Sequence, residues 1–311
     1  MGSQTDISVV IPVYRAEKII DELVARLNAV LKPLGLNYEI VLVDDRSPDD
    51  GWNKILNICQ KDPNIKAVRL ARNFGQHYAI TAGLANASGD YIITMDCDLQ
   101  DDPLYIPGLL AKIKEGADIV FTTKKRTGHN FLKNITATFF FQILNWLSET
   151  SAKATGEVGG YLIMKRNVKD AFLSVHDTHR HYLMILRWLG FKSEYLSIEH
   201  RPRFEGKSSY TFFKLLKHAL NGITSQSVKL LNLSVILGFI IFAISVLGGL
   251  YFIYGYFTHG SLKGWTSLFV LVLFSTGLIL MSIGVLGIYL GKTFEQSKNR
   301  PLYIVDSRLN F

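Results

Sequence analysis

Two carboxylates two residues apart, Asp96 and Asp98, interrupt the stretch Tyr91-Ile92-Ile93-Thr94-Met95-Asp96-Cys97-Asp98-Leu99-Gln100-Asp101-Asp102-Pro103. The first half of that stretch is short and apolar and follows Ala87-Ser88-Gly89-Asp90, the pattern of a buried parallel strand. Open α/β sheets gather ligands at the carboxyl ends of their strands, where these acids fall. Two hard oxygen ligands at such a place suit Mg²⁺ or Mn²⁺ carrying phosphate oxygens. A solvated acidic turn ending in Pro103 has the same local pattern, so the rest of the chain must decide.

The elements that would position these acids can be read upstream. Residues 7–12, 38–43, 65–70, 91–95 and 119–123 read as strands, and 17–31, 52–60 and 76–87 as helices, with Asn73 a candidate N-cap for the third. Strands alternating with helices imply a doubly wound, mainly parallel sheet. A second strand also ends in acids, Asp44-Asp45-Arg46-Ser47. Two acidic strand ends on one crevice can share a ligand, one taking a nucleobase and the other a metal diphosphate. No Gly-x-Gly-x-x-Gly follows the first strand, and no Gly-x-x-x-x-Gly-Lys-Ser/Thr occurs, which argues against dinucleotide oxidoreductases and P-loop enzymes.

Composition points to a membrane. The chain has 311 residues, a net charge of +8 and 48% hydrophobic residues. Residues 230–257 and 265–290 contain no Asp, Glu, Lys or Arg, and each exceeds the roughly 20 residues a helix needs to span hydrocarbon. Lys214, Lys217 and Lys229 precede the first span and Lys292, Lys298 and Arg300 follow the second, while Lys263 alone lies between, so both termini are expected in the cytoplasm. That clustering suits anionic lipid and gives no support to nucleic-acid binding. The polar start and the short apolar run at 7–13 lead to the expectation of no signal peptide, and Cys59 and Cys97 are expected to be free thiols.

Five motifs in order carry a resemblance: Val10-Ile11-Pro12-Val13-Tyr14, Val43-Asp44-Asp45-Arg46-Ser47, Arg72-Asn73-Phe74-Gly75-Gln76, Gly83-Leu84-Ala85-Asn86-Ala87-Ser88-Gly89-Asp90 and Asp96-Cys97-Asp98-Leu99-Gln100-Asp101. With them the chain resembles the family-2 inverting glycosyltransferases of GT-A fold, and within these the bacterial membrane-anchored polyprenyl-phosphate glycosyltransferases. The resemblance implies that Pro12, Tyr14, Glu17, Asp44 and Asp45 line the nucleotide pocket, with Asp44 on the uracil ring. Asp45 could equally cap the turn before Ser47. Asp96 would face the sugar and ribose, and Asp98 and Gln100 would hold the divalent metal. Asp101 and Asp102 have no settled role.

The acceptor side is read from three later segments. The cluster Lys124-Lys125-Arg126 ends a strand, where Arg126 would face donor and acceptor phosphates; solvated surface charge is the alternative. Arg201-Pro202-Arg203-Phe204-Glu205-Gly206-Lys207-Ser208-Ser209-Tyr210 resembles the family's basic loop, with Ser209 where the family has Lys. Arg201, Arg203 and Ser208 would grip the acceptor phosphate, Arg203 first, since a guanidinium matches phosphate oxygens with a planar fork. Residues 211–229 read as a helix at the membrane surface, and residues 131–147 as either such a helix or a core helix. Leu162 stands where relatives have arginine, so acceptor or sugar handling is expected to differ, and Arg187-Trp188 is read as helix packing.

The expected architecture is a cytosolic GT-A catalytic domain at 1–210, a juxtamembrane amphipathic helix at 211–229, a transmembrane hairpin at 230–291, and a tail at 292–311 with a strand at 300–305. Relatives use such a tail in subunit contacts, which implies a homo-oligomer. The expected reaction moves a hexose from a UDP-sugar, UDP-glucose first, to undecaprenyl phosphate on the cytoplasmic leaflet of a bacterial inner membrane. An N-acetylhexosamine or aminopentose donor is the alternative within that reaction. A polysaccharide synthase is disfavoured because two spans are too few for a pore. A non-catalytic membrane scaffold is disfavoured by the intact Asp44, Asp96, Asp98 and Arg203.

Overall fold

A computed structural model describes residues 5–124, 158–178, 180–199, 229–259 and 264–311. The chain divides into two compact units, one holding residues 1–141, 152–209 and 300–311 and the other residues 142–151 and 210–299.

In the first unit, β1 (Ile7–Val13), β2 (Tyr38–Asp44), β3 (Ile65–Leu70), β4 (Tyr91–Thr94), β5 (Ile119–Lys124), β6 (Val158–Lys165), β7 (Ser193–Ile198) and β8 (Val305–Leu309) form one sheet in the order β7-β5-β6-β4-β1-β2-β3-β8. The centre is parallel: β1 pairs with β2 and β4, and β2 with β3. β6 and β8 run antiparallel to their neighbours, and β7 runs parallel to β5. All seven residues of β1 are buried. A strand covered on both faces can be apolar throughout, which is why no alternation shows in its sequence.

Helices cover both faces. On one side α1 (Ile20–Leu31), α2 (Gly51–Lys61) and α4 (Ile106–Lys114) pack on Ile7, Val9, Ile11 and Leu42. On the other, α3 (Gln76–Asn86), α5 (Arg166–Ser174) and α6 (Tyr182–Trp188) pack on Val10, Val41 and Val43. Two glycines of the fourth motif explain themselves here. A Cβ on Gly83 would strike Val10 and come within 3.0 Å of Val43, so its absence lets α3 lie close on β1 and β2. A Cβ on Gly89 would sit 2.6 Å from the backbone nitrogen of Ser8.

Several expectations shift. Helix α1 begins at Ile20 rather than at 17. Asn73 does not cap α3: the N-cap is Gly75 at φ 102°, and the Asn73 side chain donates to the Asp45 carbonyl. The tail strand is Val305–Leu309 rather than 300–305, because its pairing with β3 begins at Val305. Leu162 lies in β6 opposite Thr94 and is fully buried in the core, so it does not face a ligand. Of the Arg187-Trp188 pair, Arg187 lies 5.9 Å from the Phe121 ring centre as packing requires, but Trp188 is exposed.

The second unit contains α7 (Lys229–His259) and α8 (Trp265–Ser297), which contact one another. Both are long and apolar enough to cross a membrane, and their most apolar windows are not buried in protein. Helix α8 is 33 residues long, about 50 Å at 1.5 Å per residue, against a hydrocarbon layer of about 30 Å. The expected surface helices at 131–147 and 211–229, except Lys229, which begins α7, and the expected phosphate-binding residues Arg126, Arg201, Arg203 and Ser208, lie outside the described residues.

Candidate functional site

The carboxyl ends of β2, β1 and β4 stand side by side, with β1 in the middle. Adjacent strands are about 4.8 Å apart, so the two acidic strand ends are separated by about 10 Å. Each end turns sharply at a residue other than glycine. Arg15 after β1, Arg46 after β2 and Leu99 after β4 have φ of 55°, 57° and 59°. Such left-handed residues cost about 1 kcal/mol or more each and persist where surrounding contacts over-determine them. Three at one crevice mark a site held in shape.

At the β2 end, Asp44 is fully buried. Its Oδ1 accepts from Ser47 N at 3.0 Å, so Asp44, not Asp45, caps that turn. Its Oδ2 is 3.3 Å from Arg69 Nε, a charge contact without hydrogen-bond geometry, which leaves Oδ2 a buried acceptor with no donor. Asp45 reaches across the crevice instead. Its two oxygens accept from Phe74 N at 2.7 Å and Gly75 N at 2.8 Å, pinning the start of α3 to the end of β2. Burial pushes the Asp45 carboxyl up, with the two backbone N–H donors opposing and Asp44 adding to the rise.

The β1 end supplies Tyr14, which is exposed beside the Arg15 guanidinium. Pro12 is buried within the β1–β2 pairing, opposite Val43. Glu17 and the β2–α2 loop grip each other: Glu17 N donates to Asp49 Oδ2 at 3.1 Å, and Glu17 Oε2 accepts from Asp50 N at 3.2 Å. Arg15 N donates to Ser47 Oγ, closing the same loop over β1.

At the β4 end the acids divide by partner. Asp96 Oδ1 accepts from Gln76 Nε2 at 2.6 Å, and its backbone N–H donates to Asp101 Oδ2 at 3.3 Å. Asp98 Oδ1 accepts from Gln100 N at 3.1 Å, across the left-handed Leu99 whose side chain is buried. Asp102 caps the short 3-10 turn Pro103–Tyr105 by accepting from Leu104 N, and its carbonyl accepts from the buried Tyr161 hydroxyl. Asp101 and Asp102 thus hold the loop in place. Between the two motif acids, burial pushes the Cys97 thiol up to about 12, so it stays protonated and unreactive at neutral pH. Both cysteines are free.

Among the described residues, no group of three or more His, Cys, Asp or Glu could hold a metal ion unaided. Mg²⁺ or Mn²⁺ bound to a nucleotide needs only one or two carboxylates, with substrate phosphates completing the shell. Gln100 is buried beside Asp98, and its side-chain oxygen is a hard ligand of the kind these ions take.

Three contributors were not singled out from sequence. Gln76 lies in a motif, but its bond to Asp96 needs the fold to bring α3 beside β4. Arg69 looks like one half-buried polar position of a strand, yet it sits beside Asp44 with its guanidinium 5.2 Å from the Trp52 ring centre. Tyr182 is fully buried with its hydroxyl 2.7 Å from Thr94 Oγ1, beneath Asp96; burial pushes that phenol far above its usual range.

A family model described as glycosyl transferase family 2 matches residues 8–187. The bactoprenol glucosyl transferase of Shigella phage SfV is 34% identical over 301 residues, spanning 96% of this chain and 97% of that protein. The undecaprenyl-phosphate 4-deoxy-4-formamido-L-arabinose transferase of Klebsiella pneumoniae subsp. pneumoniae is 31% identical over 304 residues, spanning 96% and 92%. The crystal structure of glucosyl-3-phosphoglycerate synthase from Mycobacterium tuberculosis, in complex with Mn²⁺, uridine-diphosphate and phosphoglyceric acid, superposes with a TM-score of 0.50. Its identity is 18%, over 71% of this chain and 77% of that one, a likeness of fold.

Proposed function

Because the chain belongs to glycosyl transferase family 2 and has its GT-A type mixed sheet, we propose that it moves one sugar from a uridine-diphosphate sugar to undecaprenyl phosphate, inverting the anomeric carbon. The observation that carries the donor half is Asp44: a fully buried carboxylate with one oxygen lacking a donor, at the end of a sheet strand. A uracil ring N–H is a donor of the required kind. The acceptor half rests on full-length similarity to two enzymes named for bactoprenol and undecaprenyl phosphate, and on two helices able to span a bilayer. UDP-glucose is the first donor to try; the second relative makes an aminopentose donor the natural comparison, and an N-acetylhexosamine donor completes the panel.

In this reading Asp44 takes the base, Tyr14 covers it, and Asp45 and Glu17 hold the loops that shape the pocket. Asp96, oriented by Gln76, faces the sugar. Asp98 and Gln100 would hold Mg²⁺ or Mn²⁺, which when bound supplies Lewis-acid neutralisation of the leaving diphosphate. The acceptor is a phosphate monoester with a second pKa of about 6, so it is a dianion at neutral pH and needs no strong general base. Its oxygen forms the new bond to the anomeric carbon as the bond to UDP breaks, and the diphosphate leaves with its electron pair. The protein's contribution is alignment and charge stabilisation, with Arg126, Arg201, Arg203 and Ser208 assigned to the acceptor phosphate. In this reading the protein works from the cytoplasmic membrane with this domain and both termini inside, as the basic residues flanking the two apolar segments favour, and as a homo-oligomer.

The test is incubation of the purified full-length protein in lipid with undecaprenyl phosphate and that panel of nucleotide sugars, followed by the mass of the lipid product. One sugar per lipid phosphate is expected with one donor. A polymer would replace this reading with a synthase, and no product with any donor would reject it.

A further inference from the structure

The C-terminal segment after α8 does more than finish the sheet. Helix α8 ends at Ser297, and a few residues later the chain runs along the outer edge of β3. Its contacts fall on the parts of the first unit that shape the β2 end of the crevice. Ile304 O accepts from Ala71 N at 2.9 Å, one residue before the Arg72-Asn73-Phe74-Gly75 loop that Asp45 pins. Ser307 lies opposite Arg69, the residue whose guanidinium faces Asp44. Asp306 Oδ2 pairs with Arg46 at 3.1 Å, and Arg46 is the left-handed residue directly after Asp44 and Asp45. Tyr303 and Val305 pack on the α3, α5 and α6 layer, with Tyr303 near the buried Arg180. Asn310 Nδ2 donates to Cys59 O and Ile65 O, both at 2.8 Å, and Phe311 lies under Lys66.

We propose that residues 303–311 form a strap that positions the donor pocket, acting through Asp306 on the turn at Arg46 and through Ile304 on the loop after Ala71. A left-handed arginine needs external contacts to hold it, and Asp306 supplies one from outside the loop. If that turn relaxes, Asp44 and Asp45 lose their fixed relation, because the turn joins Asp45 to the Ser47 N–H that Asp44 caps. Asp306 and Ile304 are positioning residues and touch no substrate in this scheme. The inference rests on the reading of Asp44 as base-binding only for its effect on affinity; its effect on the loops is independent of any ligand.

Two measurements on the detergent-solubilised full-length protein separate these. Backbone amide exchange without nucleotide is expected to speed up severalfold over residues 45–50 and 72–75 in Asp306→Ala, with exchange across β1 and β4 unchanged. Calorimetric titration with UDP and a divalent ion is expected to show affinity two- to fivefold weaker, the range of an exposed ion pair, with the melting temperature unchanged. Exchanging the charges, Arg46→Asp with Asp306→Arg, is expected to restore both. Unchanged exchange over 45–50 and 72–75 overturns the strap, as does a loss of affinity accompanied by an equal fall in melting temperature and no rescue. Wild-type protein that binds no UDP rejects the donor reading alone, and the exchange measurement then decides the strap.

Discussion

Gln76 Nε2 donates to Asp96 Oδ1 across 2.6 Å, joining the first residue of α3 to the acid that ends β4. Since Asp45 holds the two residues before Gln76, the β2 end and the β4 end of the crevice are connected through one helix start. Removing the amide in Gln76→Ala takes away one hydrogen bond that orients Asp96. A hydrogen bond to a charged group contributes about 1.5–3 kcal/mol, so kcat/KM should fall by about tenfold or more. Steady-state kinetics would show it in kcat, with UDP affinity retained.

Asp98→Ala should reduce turnover by at least about 100-fold, the scale of losing a group that stabilises developing charge. The side chain is a partly exposed loop acid that accepts from Gln100 N, and the variant should still fold. Wild-type activity should vanish with a chelator and return with Mg²⁺ or Mn²⁺. Wild-type-like turnover in the variant would remove Asp98 from the metal site.

Gly89→Ala should be expressed poorly. Its new Cβ would meet the Ser8 backbone nitrogen at 2.6 Å and Ser8 Oγ at 2.7 Å, in a strand buried on both faces that cannot move aside. A loss of about 2–4 kcal/mol is expected from such overpacking. Thermal melting would measure it, and whatever fraction folds should bind UDP normally, since Ser8 is at the opposite end of β1 from Tyr14.

Beneath the sheet's amino end, Glu39 accepts from Ser8 Oγ, Ser88 N and Ser88 Oγ and pairs with Lys66 at 2.6 Å. Burial raises its carboxyl, but these partners outweigh burial and hold the folded-state pKa below the ordinary 4.5. A depressed acid stabilises the fold at pH values above 4.5, and that stabilisation is lost as pH falls through the folded-state value. The melting temperature of wild type should therefore drop more steeply below about pH 4.5 than that of Glu39→Gln, which at pH 7 should be less stable by about 1.5–3 kcal/mol, the scale of hydrogen bonds to a charged group. Parallel melting curves across pH 3.5–7 test both.

Much of this was legible because the relevant physics is local. Strand β3 was read at its observed bounds, since Ile65 and Leu70 mark an apolar segment between turn residues. The two acidic strand ends were visible as residue types. The sequence could not say which oxygen of which acid meets which N–H: Asp44 and Asp45 are adjacent, yet one caps its own turn and the other reaches about 30 residues ahead. The strand at Val305–Leu309 was placed too early because its apolar lead-in, Leu302 to Ile304, resembles a strand. Its true register is set by β3, some 240 residues upstream. Leu162 is out of reach of sequence reasoning for the same reason, since only the pairing with Thr94 shows that it faces the core.

The placement of β8 fixes an order of events in biosynthesis. Ribosomes deliver β3 early, but the strand that covers its edge is made only after residues 229–297, the whole apolar hairpin, have been synthesised. Until then the catalytic sheet presents an uncovered edge, with backbone groups free to pair with another chain. A chain cut short anywhere within the two apolar helices is thus a protein with an unfinished sheet, since the strand that covers β3 comes last.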